Sequence, residues 1–242
     1  MPDLSALLWP NVVAVISASP DPTILRGRLM EVVSSHDYKG TIYPISRSHD
    51  EILGRRCYKS IDDVPEKVDL AILIIPAKFI PDTLARCGEL GVRAAQILTS
   101  GFAEEGGDEG VAVQDEIRAI AERYDMAVMG PNSEGFANSA AALCPTFSPA
   151  VDKTELPLLP PWRTDGHITA IAQSGGMGFA FYDHGRPKEL PFNYIITTGN
   201  EACVETLDVV DYLLDEGKTD AFILFMEDVK NGARLAQVGE KA

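Results

Sequence analysis

Cysteine is scarce and scattered: the 242 residues include four, Cys57, Cys87, Cys144 and Cys203, spaced 30, 57 and 59 positions apart. No C-x-x-C or other metal-type spacing occurs, which excludes a disulfide scaffold and suits a reducing cytosol. The four histidines, His36, His49, His167 and His184, lack the H-x-x-x-H and H-E-x-x-H spacings, so no metal site is expected. His167 and His184, near the ends of expected elements, read as structural. Positive charge is short as well. With 21 Lys and Arg against 36 Asp and Glu, the net charge is −15, which argues against a nucleic-acid backbone as partner. No stretch of 18 apolar residues occurs, so no membrane span is expected. The first 15 residues contain Asp3 and no Lys or Arg, and Pro10-Asn11 breaks their apolar run; they do not read as a signal peptide.

What is present looks like an ordinary globular protein. The chain is 45% apolar and 24% charged, with 20 Gly and 16 Pro, long enough for one large domain or two smaller ones. The acidity is uneven. Residues 1–60 hold seven basic and six acidic side chains, a balance of +1, which leaves −16 to the rest. An anionic small molecule therefore finds its most permissive surface near the N-terminus.

Short apolar runs at residues 12–16, 41–45, 70–75, 94–99 and 126–129 do not alternate with polar residues, as expected of strands covered on both faces. Helix-like segments at 24–33, 80–90 and 111–123 lie between them. This βαβ rhythm predicts a parallel sheet with right-handed crossovers, a Rossmann-like domain over residues 1–147. Prolines 149, 157, 160 and 161 then forbid regular structure, so residues 148–166 are expected to be a linker, packed in part through Leu156, Leu158, Leu159 and Trp162. The rhythm restarts over 167–242 with strands at 167–172, 194–197 and 221–226, helices at 175–184 and 205–214, and a last helix from about 231. Three strands make either an incomplete α/β domain or a compact three-stranded cap.

Ligands of open α/β sheets bind beyond the C-terminal ends of the strands, and several loops fall there. The first, Ser17-Ala18-Ser19-Pro20-Asp21-Pro22 with Gly27 beyond, opens a helix whose N–H groups suit a phosphate. It lacks G-x-G-x-x-G, and Arg26 and Arg28 are its nearby charges. Pro76-Ala77, Ser100-Gly101-Phe102-Ala103-Glu104 and Gly130-Pro131-Asn132-Ser133-Glu134-Gly135 follow later strands. Each alone is equally a structural turn; together they describe one edge. Gln173-Ser174-Gly175-Gly176 caps a second-unit helix and is either an anion cradle or plain capping. It is neither a Walker A loop nor a G-x-S-x-G elbow. Glu227 ends a strand at the same edge, and Asn200, Glu201 and Glu205 are either helix-capping groups or supports for such a site. Cys203 lies where a helix start can lower a thiol pKa, but without catalytic neighbours it reads as packing.

Taken in order, the stretches VVAVISASPDPTILRG, GTIYPISRSHDEILGRRCYKSIDDVPEKVDLAILIIPA, ILTSGFAEEG, MGPNSEG, IAQSGGMG, TTGNEA and ILFMEDVKNG resemble the NDP-forming (ADP-forming) acyl-CoA synthetases, relatives of the succinyl-CoA synthetase α subunit. The resemblance implies a CoA-binding Rossmann-like domain followed by a flavodoxin-like domain. Its implied activity is acid–CoA ligation through acyl phosphate and phosphohistidine, with CoA, ATP and Mg2+ as cofactors. The implied partners are a small carboxylic acid and an ATP-grasp domain or subunit, in a cytoplasmic oligomer. By motif position, Ser17, Ala18, Ser19 and Gly27 would contact CoA phosphates, and Ser46 and Arg47 would lie beside the nucleotide. Pro76 and Ala77 would lie near adenine, and Gly101, Phe102, Glu104 and Asn132 along pantetheine. Ser174, Gly175 and Gly176 would hold the phosphoryl group, and Glu227 would orient the phosphorylated histidine. The sequence departs from the family at Ser17, where a Gly is usual, and at Ser46-Arg47-Ser48, which replaces Asn-Pro-Lys. The family histidine lies beyond residue 242, and the fragment is expected to bind CoA without turnover. A stand-alone CoA-binding regulator is the alternative; an NAD-dependent oxidoreductase is disfavoured by the missing G-x-G-x-x-G.

Overall fold

The computed structural model describes residues 3–152 and 157–242. In the first unit a short helix, α1 (Ser5–Leu8), leads into β1 (Val12–Ile16), α2 (Leu25–Ser35) and β2 (Thr41–Ile45). A small hairpin, β3 (Glu51–Ile52) and β4 (Arg55–Arg56), precedes β5 (Leu70–Leu73), α3 (Ile80–Glu89), β6 (Ala94–Ile97), α4 (Asp108–Tyr124) and β7 (Ala127–Met129). The five long strands form a parallel sheet in the order β2-β1-β5-β6-β7. Every residue of β1, β5, β6 and β7 is buried, which is why their sequences show no alternation. Pro44 lies inside β2, where the strand is at the sheet edge and no inner ladder bond is lost.

The second unit contains β8 (Phe136–Asn138), β9 (Ile168–Ala172), α5 (Gly175–Gly185), β10 (Phe192–Thr197), α6 (Thr206–Glu216), β11 (Ala221–Phe225) and α7 (Gly232–Lys241). Its sheet has the order β11-β9-β10-β8 and is parallel except for β8, which runs antiparallel to β10. The fourth strand thus comes from residues 136–138, upstream of the expected boundary at 147. The sheet is neither a three-stranded cap nor all parallel.

The Pro-rich stretch is partly packed. Ala150 and Val151 are buried, Leu158 packs against the same cluster, and its carbonyl accepts from Tyr182 Oη at 2.9 Å. Trp162 is 60% exposed and does not pack inward as expected; Leu156 lies outside the described residues. The two units share a core: Leu4, Leu7, Val13 and Leu29 belong to the same apolar cluster as Tyr194, Ile196, Leu207 and Leu213. Asn138 Nδ2 ties them by donating to the Leu8 carbonyl at 2.8 Å in a buried setting.

Candidate functional site

Two clefts open at the C-terminal ends of the strands. The first, of about 610 Å³, lies beyond β1, β2 and β5. Its floor is the bend Ser17-Ala18-Ser19, with Ser46, Arg47 and Pro76 around it. Ser17 has φ +69, the left-handed conformation that glycine adopts freely, so this serine holds the bend a glycine would otherwise supply. Ala18 N donates to the Ile45 carbonyl at 3.0 Å, tying the bend to β2. Arg26, Arg47, Lys59 and Arg86 make the walls basic. Lys59 is paired with Asp50 at 2.7 Å, and Arg86 with Asp62 and Glu89. Arg26 and Arg47 form no ion pair with any described residue; Arg26 reaches only Ser17 Oγ, at 3.5 Å. Phe79, half exposed, adds an aromatic face. His49 Nδ1 lies 3.1 Å from Ser46 Oγ and 3.0 Å from Ser48 Oγ, which fixes the ring at the cleft wall.

The second cleft, of about 560 Å³, lies where the loops after β6 and β7 meet those after β9, β10 and β11. Gln173 is its hub. Its Oε1 accepts from Glu227 N at 2.6 Å and Asp228 N at 2.9 Å, while its Nε2 donates to Glu201 Oε2 at 3.0 Å. Glu201, 4% exposed at φ +53, also accepts from Thr206 N at 2.8 Å and Thr198 Oγ1 at 2.9 Å. Its buried charge is therefore fully hydrogen-bonded. Burial pushes the Glu104 carboxyl up, but donation from Asn200, Gly101 N–H and Phe102 N–H outweighs it and holds the group below its ordinary range. Asn132 Nδ2 donates to Asn200 Oδ1 at 3.2 Å, joining the units across this cleft. Burial raises the Glu134 pKa despite a bond from Ser148. A Cβ on Gly175 would sit 2.7 Å from Glu134 Cβ, so only glycine lets α5 begin so close to that side chain.

Ser17, Ala18, Ser19, Ser46, Arg47 and Pro76 line the first cleft, and Glu104, Asn132, Ser174, Gly175 and Glu227 line the second. Five expected residues line neither. A Cβ on Gly27 would lie 1.7 Å from the Asp21 carbonyl oxygen, so Gly27 lets α2 pack on the loop rather than touching a ligand itself. Phe102 is fully buried and belongs to the core, not to a channel wall. Ala77 and Gly101 are half-buried side by side, with the Cβ of Ala77 3.7 Å from a Cβ built on Gly101, and Gly176 is exposed, with nothing within 4 Å of a Cβ built on it. Arg28 is engaged by Glu31 and Asp152. Glu205 caps α6 with Asp208. Cys203 is no activated thiol, since burial pushes it up to about 12. Sequence reasoning had not assigned His49, Lys59, Phe79 and Arg86 in the first cleft, nor Glu134, Gln173 and Lys230 in the second. Gln173, next to the Ser-Gly-Gly turn at a strand end, carried the clearest signal.

Residues 11–139 match the CoA binding domain, more than half of the chain. The chain belongs to the CoA-binding domain family. After this CoA-binding unit, residues 165–242 match the succinyl-CoA ligase like flavodoxin domain, and the resemblance to NDP-forming acyl-CoA synthetases is shown by the relatives. The α subunit of acetate–CoA ligase [ADP-forming] I from Pyrococcus furiosus is 34% identical over 98% of this chain and 50% of its own length. Acetate–CoA ligase [ADP-forming] I from Archaeoglobus fulgidus is 32% identical over 98% of this chain and 33% of its own. Among solved structures, the dinucleotide forming acetyl-coenzyme A synthetase 1 of Ca. Korarchaeum cryptofilum, in complex with phosphate and ADP, superposes with a TM-score of 0.89. It is 30% identical over 100% of this chain and 49% of that one. The chain thus spans half or less of the length of these three relatives.

Proposed function

We propose that this chain is the CoA-binding part of an ADP-forming acid–CoA ligase. The observation that carries the reading is the pair of clefts meeting at the first turn of α2, where Leu25 lines the second and Arg26 the first. The first cleft fits the nucleotide end of CoA. It has room, an aromatic face at Phe79, and two guanidinium groups, Arg26 and Arg47, free of ion pairs for phosphate. Ser17, Ala18 and Ser19 let the phosphates approach the backbone at the start of α2, and Pro76 borders the base. Pantetheine then runs past Glu104 and Asn132 into the second cleft. CoA supplies the thiol that takes the acyl group.

In the second cleft, Ser174 and Gly175 at the start of the 11-residue helix α5 receive negative charge through the helix dipole and free N–H groups. Glu227, its backbone held by Gln173, orients an imidazole delivered by another part of the longer protein. ATP and Mg2+ belong to an ATP-grasp domain or subunit with which this chain associates in the cytoplasm. Among the described residues no helix is long and apolar enough to cross a membrane. Isothermal titration of the chain with CoA tests the reading: saturable binding that Arg47→Ala weakens several-fold is expected. No heat at millimolar CoA would overturn it.

A further inference from the structure

Several carboxylates line the second cleft, and Glu134 differs from the rest in its surroundings. Glu201 is buried and accepts from Thr198 and Thr206, and Glu104 accepts from Gly101 N, Phe102 N and Asn200. Glu227 and Asp228 are exposed to water. Lys230, the cleft's cation, holds the carbonyls of Asn200 and Glu201. Glu134 is half-buried against the start of α5 and forms no ion pair with any described residue. Ser148 donates to its carboxylate, yet burial outweighs that bond and raises its pKa. Its backbone is fixed on both sides: Glu134 N donates to Thr197 Oγ1 at 3.0 Å, and Thr146 Oγ1 donates to the Glu134 carbonyl at 2.7 Å. Gly175 leaves room for the side chain, since a Cβ there would lie 3.0 Å from Glu134 Oε2. A rigidly placed, partly desolvated carboxylate thus sits in the cleft wall two residues from Asn132, on the path proposed for pantetheine. Such a group accepts a proton more readily than one in open water.

We infer that Glu134 is the general base that takes the proton from the CoA thiol. The inference rests on the reading that CoA bridges the two clefts, and it names the group that activates the nucleophile. A thiol with a pKa of about 8.5 is mostly protonated at neutral pH, whereas the thiolate is the reactive form. The Glu134 carboxylate accepts the S–H proton as a sulfur lone pair attacks the carbonyl carbon of an acyl phosphate. The carbon–sulfur bond forms, the carbon–oxygen bond to phosphate breaks, and the phosphate leaves with that electron pair. Glu134 then passes its proton to a phosphate oxygen beside Gly175 and returns to its ionised form. One carboxylate serves both transfers because it lies between the pantetheine path and the start of α5.

The test is alkylation of CoA by iodoacetamide, an uncharged electrophile, free and bound to an excess of the 242-residue chain, with alkylated CoA separated and quantified across pH. Free CoA should slow about tenfold per pH unit below the thiol pKa, because only thiolate reacts. Bound CoA should instead level off between the Glu134 and thiol pKa values, and at pH 6 its rate should exceed that of free CoA about tenfold or more. Glu134→Gln keeps the side-chain volume and an acceptor for Ser148, and should restore the tenfold slope. Asp228→Asn removes a carboxylate from the same cleft and should keep the plateau. A bound thiol that follows the slope of free CoA, or is shielded at every pH, would overturn the inference; the parent chain alone decides this, even where a variant fails to fold. A plateau that survives in Glu134→Gln would mean that the thiol is ionised by another group, such as Lys230, and would equally overturn it. Each of these results leaves CoA binding intact, whereas no saturable binding of CoA in the calorimeter would remove the reading beneath the inference as well.

Discussion

Ser17 shows how one residue sets the geometry of a whole loop. Its φ of +69 costs a non-glycine residue on the order of 1 kcal/mol. Ser17→Gly should therefore leave urea stability within about 1 kcal/mol of the parent, whereas Ser17→Val, β-branched at a left-handed position, should lower it by about 2 kcal/mol. Gly27→Ala should cost roughly 3 kcal/mol or more, since its Cβ would overlap the Asp21 carbonyl and the backbone must move. Arg86 beside Asp62 lowers that carboxyl to about 2, aided by Ser60. A folded pKa below the unfolded one contributes stability that is present above about pH 4 and lost as pH falls toward 2. Arg86→Ala should therefore flatten the acid limb of the stability profile between pH 4 and 2 and leave its neutral-to-alkaline shape alone, as read by urea melts at stepped pH. Much of this level was legible in advance: Ser17, Ser46, Arg47, Glu104 and Asn132 were expected at ligand-facing edges and line the clefts. Phe102 and Gly27 line neither cleft, because a motif fixes a residue's position along the chain but not which of its atoms faces the open space.

At the scale of elements, the first sheet was readable because its inner strands are buried on both faces and spell continuous apolar runs. The fourth strand of the second sheet was not. β8 is only Phe-Ala-Asn, too short to show a period, and its partner β10 is more than 50 residues away in sequence. Its role is to hold the units together, through Asn138 Nδ2 on the Leu8 carbonyl. Asn138→Ala leaves that buried carbonyl without its donor and should cost about 1–3 kcal/mol, measured by thermal or urea unfolding. Asn138→Asp should cost more, because it replaces a donor with a charge facing a carbonyl oxygen.

The whole molecule has one core across two sheets, and Arg118 Nε adds a contact by donating to the Ala202 carbonyl at 2.9 Å. Calorimetry should accordingly show a single unfolding transition with matching calorimetric and van't Hoff enthalpies; two separated transitions would mean the shared core does not couple the units. The same union makes the second cleft, since its walls come from loops of both sheets, an arrangement no single stretch of sequence displays. The central claim is that CoA lies across both clefts over the first turn of α2, and amide hydrogen exchange with and without saturating CoA tests it most directly. Exchange should slow at residues 17–27 and 46–49 and also at residues 101–104 and 132–134. Slowing confined to the first cleft, or to the opposite ends of the strands, would contradict it.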